Sequence, residues 1–149
     1  MSDSHGSLMN MYDAIDKENP DCMIFLGDGE DDFTTVSNFK PNVLREFKVA
    51  GNCDHGSVLP LNLTKEIGEV KFYITHGHKE GVKRGLYDLY AKSSVEGSKA
   101  ALYGHTHCAD VQYMNGMLLL NPGTIASGYY ATIIIENGEL TPELKFLGD

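Results

Sequence analysis

Five of the six histidines in this 149-residue chain fall in three tight clusters: Asp3-Ser4-His5, Thr75-His76-Gly77-His78 and Gly104-His105-Thr106-His107. Two further polar turns, Gly27-Asp28 and Gly51-Asn52-Cys53-Asp54, lie between them. In the clusters the paired residues stand two positions apart. On an extended backbone such residues point the same way, so each pair is expected to aim two ligand atoms at one point. A donor set of His, Asp and Asn with few Cys belongs to a hydrolytic metal centre rather than to a structural zinc knot.

The segments between these turns show how they could be positioned. Ser7 to Asp16 has apolar residues at helical spacing and stops near Asn19-Pro20. Cys22 to Leu26 is a short apolar run ending in Gly-Asp-Gly, which predicts a buried strand delivering Asp28 from its carboxyl end. Arg45 to Ala50 and Val70 to Thr75 are expected to deliver Asn52 and His76 in the same way, and Ala100 to Tyr103 to lead into His105. Gly85 to Ser94 has helical spacing. After it the style changes: Asn115-Gly116 and Asn137-Gly138 each join two strand-like runs, the mark of a tight hairpin. Alternating strands and helices followed by hairpins predict an α/β fold of two packed mixed sheets flanked by helices, in one domain spanning 1–149. Open sheets of this kind gather their chemistry at the carboxyl ends of strands.

Composition narrows the classes. A hydrophobic share of 42% fits a globular domain. The apolar runs, such as Met117 to Leu120, are strand-sized, far below the roughly 20 residues that span a bilayer, so no membrane segment is expected. The opening Met-Ser-Asp-Ser-His carries no basic region followed by an apolar stretch, so no secretory signal is expected. A formal net charge of −9 argues against tight nonspecific nucleic-acid binding, which needs a Lys/Arg surface. Cys22, Cys53 and Cys108 are odd in number and show no paired spacing, which fits a reducing, cytoplasmic setting better than a disulfide framework. Cys22 and Cys108 are expected in the core.

In order, the chain reads Asp3-x-His5, Gly27-Asp28, Gly51-Asn52-Cys53-Asp54, His76-Gly77-His78, Gly104-His105-x-His107, then Leu120-Asn121-Pro122-Gly123-Thr124. This series resembles the calcineurin-like metallophosphoesterase superfamily, and within it the small YfcE-type phosphodiesterase branch, over essentially the whole chain. The resemblance implies two divalent transition metals, Mn2+ first, with Fe, Ni or Zn also compatible with a mixed N/O set. Asp3, His5 and His107 would hold one ion and Asn52, His76 and His105 the other, with Asp28 bridging them. Asp54 is expected to orient a ligand histidine from behind or, failing that, to stabilise a turn.

The implied reaction is in-line attack on phosphorus by a hydroxide bridging the metals. Two divalent ions opposed by Asp3, Asp28 and one hydroxide leave roughly one net positive charge, which a single phosphodiester anion would neutralise. A phosphodiester is therefore the expected substrate, ahead of a monoester. Many relatives carry His where this chain has Cys53. A thiol is a poorer charge stabiliser than an imidazolium, so good leaving groups are expected, with His78 or His55 as alternative proton donors. His55 itself is expected in an exposed loop, as is the acidic run Glu30-Asp31-Asp32, the alternative implied by the resemblance being that one of these acids touches the site. Tyr87, Tyr90, Tyr129 and Tyr130 are expected to pack or to form a subunit contact.

The pattern departs from the family at one point. Family members open with an apolar strand of about six residues ahead of Asp-x-His, and here Asp3 stands almost at the start. The first central strand is thus expected to be missing or truncated, leaving Asp3 and His5 the least firmly held donors. Two other functions fit the same motifs: a phosphomonoesterase or nucleotidase, and a scaffold like the retromer subunit of this fold. Filled donor positions favour chemistry over scaffolding. The two C-terminal hairpins leave an exposed edge that would suit a homo-oligomer.

Overall fold

The fold is known from a computed structural model, which describes residues 1–40 and 43–149. In chain order the elements are α1 (Leu8–Glu18), β1 (Cys22–Phe25), α2 (Glu30–Asn38), β2 (Arg45–Lys48), β3 (Asn62–Ile67), β4 (Val70–Thr75), α3 (Tyr87–Val95), β5 (Ala100–Leu102), β6 (Ala109–Met114), β7 (Met117–Pro122), a 3-10 turn at Ile125–Ser127, β8 (Tyr129–Glu136) and β9 (Glu139–Phe146). The predicted strands and helices lie where the apolar pattern put them, within two or three residues at most ends. Besides the 3-10 turn, one strand and one helix were not foreseen. Strand β3 has a mixed, half-exposed sequence with no clean alternation. Helix α2 begins with Glu30, Asp31 and Asp32, read above as a loop; three acids in a first turn instead complement the positive end of the helix dipole.

The fold is α/β, with a mixed five-stranded sheet in the order β3-β4-β5-β7-β6 and two smaller sheets, parallel β1-β2 and antiparallel β8-β9. Strands β4, β5 and β7 run parallel, while β3 and β6 are antiparallel edges. Alternation along β4 splits its side chains between two layers. Phe72 and Ile74 join Leu102, Leu118 and Leu120 in a core shared with Leu26, Val49 and the β8 residues Ala131, Ile133 and Ile135. Tyr73 faces the other way, packing with Ala101, Leu119 and Leu89 of α3. A third cluster seats Met11, Ala14 and Ile15 of α1 and Phe33 and Val36 of α2 against Met23 and Phe25. The layers therefore run α1 and α2, the small sheets, the large sheet, then α3.

The layer expected to be one sheet is thus two pieces, and the segment between them is short. Met1 lies beside β1 in parallel register: its amino group donates to the Ile24 carbonyl at 2.9 Å, and Leu26 N–H donates to the Met1 carbonyl at 2.9 Å. On the other side, Ile125 N–H donates to the Ser2 carbonyl at 3.0 Å. Beyond Met1, an apolar groove of about 180 Å³ continues between β1 and β8, walled by Ile15, Ile24, Leu26, Phe72 and Ile133. The segment leading into the Asp3 turn is firmly held, against the expectation that Asp3 would be loose. Ser2, Asp3 and Ser4 are fully buried. Asp3 N–H donates to the Gly27 carbonyl at 2.9 Å, and Thr124 Oγ1 donates to the Asp3 carbonyl at 2.7 Å. The two Asn-Gly hairpins form as expected, with Asn115, Gly116, Asn137 and Gly138 all at positive φ.

Candidate metal centre

The site lies where the parallel strands end. Strand β1 leads to Asp28, β2 to Asn52, β4 to His76 and β5 to His105. The backbone at the donors is not extended. Asp3, His5, Asp28, His105 and His107 have φ of 55°, 43°, 60°, 67° and 61°, in the left-handed region that non-glycine residues seldom enter. Such conformations are strained and persist only where the surroundings hold them. They also overturn the expectation that each i, i+2 pair serves one point. His105 and His107 go to different places, because left-handed turns swing successive side chains apart instead of aligning them.

Two donor groups result. Asp3, His5 and His107 form one, and Asp28, His76 and His105 the other, with the ligand atoms of each within 4.8 Å of one another. In the first, Asp3 Oδ1 stands 3.1 Å from His107 Nε2 and 4.0 Å from His5 Nε2, and the two imidazole nitrogens face each other at 3.4 Å. In the second, His76 Nε2 lies 3.4 Å from Asp28 Oδ2 and 3.0 Å from Asn52 Oδ1. The groups adjoin: Asp3 Oδ1 is also 4.0 Å from His76 Nε2.

Two features fit this donor set to cations. Among the described residues Asp3 Oδ1 is buried without a hydrogen-bond partner, a costly state for a carboxylate oxygen unless a positive charge sits beside it. In addition, His76 Nδ1 lies 2.6 Å from the Leu26 carbonyl, the contact of an Nδ1–H donating to that oxygen. In neutral imidazole this leaves Nε2 a lone pair, directed toward the oxygens of Asn52 and Asp28. Three acceptors meeting head-on repel unless a proton or a metal ion lies among them, and a backbone carbonyl behind the ring is the usual support of a ligand histidine.

The electrostatics follow the same lines. Burial would raise the Asp28 carboxyl, but the His76 ring, where its Nε2 carries a proton, and the Cys53 N–H (2.7 Å) hold it well below the usual range. Burial would lower His76, but Asp28 and Asp3 raise it. His78 and His105 are pushed down by burial and by the neighbouring His76. The Cys53 thiol is pushed up by burial and by Asp28 and Asp54.

Asp54 does something other than orient a histidine. It accepts from the backbone N–H groups of Asp28, Gly29, Glu30 and Gly51 at 2.8, 2.8, 3.0 and 2.7 Å. It thereby locks the turn after β1 to the turn after β2, fixing Asp28 and Asn52 relative to each other. Burial would raise its carboxyl, but these amides hold it below its ordinary value.

Asn121, part of the Leu-Asn-Pro-Gly-Thr motif, supports the opposite wall. Its Nδ2 donates to the Gly104 carbonyl and to Thr106 Oγ1, both at 2.9 Å, and its Oδ1 accepts from Gly123 N–H at 2.9 Å. Gly104 must be glycine, since a Cβ there would stand 1.9 Å from Ser2 Oγ and 2.9 Å from Asp3 Oδ2.

The remaining residues sort as follows. His78 is half-buried beside His76 and His105, with ring centroids 5.4 and 6.1 Å away, and its Nδ1 has no partner. Cys53 and His55 are exposed, and both line a cleft with His5, Asp28 and Asp31. Cys108 is exposed rather than core, because His107 at positive φ turns the chain outward. Cys22 is half-buried. Of the tyrosines, Tyr130 is core, Tyr90 is half-buried, and Tyr87 and Tyr129 are exposed. Ser4 and Asn121 were not singled out from the sequence as site residues, since their roles depend on contacts between distant turns.

Residues 1–135 match the calcineurin-like phosphoesterase superfamily domain, and the chain belongs to that superfamily. It is 32% identical to the probable metallophosphoesterase YsnB of Bacillus subtilis over 150 residues, covering 95% of this chain and 85% of the relative. It is 30% identical to phosphodiesterase MJ0936 of Methanocaldococcus jannaschii over 169 residues, covering 97% and 92%. The crystal structure of a predicted phosphoesterase from Streptococcus pneumoniae TIGR4 superposes with a TM-score of 0.79 at 26% identity, covering 98% of this chain and 86% of that one. Among the described residues, no helix is long and apolar enough to cross a membrane.

Proposed function

We propose that this protein is a phosphodiesterase with a binuclear metal centre. Asp3, His5 and His107 hold one ion, Asn52, His76 and His105 the other, and Asp28 is shared. The observation that carries this reading is the unpartnered, buried Asp3 Oδ1 standing within 4.0 Å of imidazole nitrogens from three separate turns. Two divalent ions, manganese first, would clamp the attacking and leaving oxygens of an in-line displacement and acidify the attacking water. The chain's own residues do the rest. Asp54 and Asn121 keep the donor turns in place, and burial of Asp3, Asp28 and His76 excludes competing water. Cys53, or His78 or His55, gives a proton to the leaving oxygen.

A small phosphodiester suits the site's charge better than a monoester dianion. The cleft beside the donors is lined by Glu30, Asp31 and Asp54, with no Lys or Arg among its lining residues to receive a second negative charge. The test is hydrolysis of an aryl phosphodiester and the matching monoester by purified protein supplied with Mn2+. Faster diester turnover is expected. Faster monoester turnover would make the protein a phosphomonoesterase, and two bound ions without turnover of either would favour a scaffold. A panel of cyclic dinucleotides, nucleotides and glycerophosphodiesters then narrows the substrate.

A further inference from the structure

We propose that Asp32 is the positioning residue of the first ion site: its carboxylate grips the Ser4-His5-Gly6 turn and holds His5 against Asp3 and His107. This deepens the metal-centre reading above and rests on it. Asp32 Oδ2 accepts two hydrogen bonds, from Ser4 Oγ at 2.6 Å and from Gly6 N–H at 2.7 Å. His5 sits between those two residues. Its φ of 43° is unfavourable for a side chain with a Cβ, and its side chain is 38% exposed, so neither local preference nor packing keeps it in place.

What keeps it is attachment from two sides. The N–H groups of Ser4 and His5 reach the Asp28 carbonyl at 3.0 and 3.4 Å, and Asp32 closes the turn from the other side. Asp32 lies in the first turn of α2, the helix that follows Asp28 directly. The same carboxylate therefore ties the first donor group to the element that carries the second. The approach is open because residue 29 is glycine at φ 142°: a Cβ there would stand 1.7 Å from Ser4 Oγ. No cation competes for Asp32, since no Lys, Arg or His lies within ion-pair distance of it among the described residues. Both of its hydrogen bonds go to the His5 turn.

The test is calorimetric titration with Mn2+, read beside thermal melting of the metal-free proteins. Wild type is expected to take two ions. Asp32→Ala should keep one site near wild-type affinity and weaken the other about 10- to 100-fold, the usual loss when a residue supporting a ligand is removed. Asp32→Asn retains an acceptor oxygen and should recover most of that affinity, whereas Ser4→Ala, losing one of the two bonds, should fall between. Asp32→Ala binding both ions like wild type overturns the inference. So does equal weakening of both sites together with a lower melting temperature, which marks an ordinary structural residue, and so does Asp32→Asn behaving like Asp32→Ala. Wild type binding fewer than two ions fails the metal-centre reading itself, and this inference with it.

Discussion

Asp3 Oδ1 and His107 Nε2 lie 3.1 Å apart, joining the start of the chain to the turn after β5. No hydrogen bond from the described residues satisfies that oxygen, although Asp3 is fully buried. An ion bound there would stabilise the fold by mass action, by about 2.7 kcal/mol per site when free ion is at 100 times its Kd. Melting temperature should therefore rise with added Mn2+ and fall back with EDTA, and Asp3→Ala should lose part of the rise. A wild-type melting curve indifferent to both additions would count against a metal at Asp3.

Asp54 binds four backbone amides that have no other acceptor in those turns. Asp54→Ala strands them, and the fold should lose about 3 kcal/mol or more, with activity falling further as Asp28 and Asn52 lose their spacing. Urea unfolding measures the first effect and diester turnover the second. Retention of wild-type kcat in Asp54→Ala would show that the clamp does not set the site.

Burial pushes the α-amine of Met1 from an ordinary 8.0 down to about 5. Between those values the unfolded chain binds a proton that the folded chain does not. The α-amine's contribution to stability therefore rises with pH from about 5 to 8, and the full penalty is present below 5. At about 1.4 kcal/mol per unit the ceiling is about 4 kcal/mol. Acetylating the amine removes this titration while keeping an N–H for the Ile24 carbonyl. Urea midpoints of free and acetylated chains should diverge toward pH 5 and converge at pH 8; parallel profiles would refute it.

A Cys53 thiol, unlike an imidazolium, cannot carry a positive charge, so leaving groups that depart unaided should react best. Replacing Cys53 with His should raise turnover of alkyl diesters by about 10-fold or more and change aryl diesters little. An unchanged ratio of alkyl to aryl rates would assign the proton transfer to another group.

The sequence by itself determined most of the scaffold. Short apolar runs ending in polar, glycine-bearing turns marked β1, β2, β4 and β5, and Asn-Gly pairs marked the hairpins, because local backbone preference and alternating burial are written in neighbouring residues. The donor side chains were legible for the same reason: their chemistry is a property of residue type. Their division into two groups is not readable from residue type or spacing and came only with the family resemblance. Tertiary structure turned Asp54 toward backbone amides, made a helix of the Glu30-Asp31-Asp32 run and put Cys108 outside. It also placed Ser4, Asp32 and Asn121 as supports. These outcomes depend on left-handed turns that only contacts between distant segments can hold, and such contacts leave no periodic trace along a single chain.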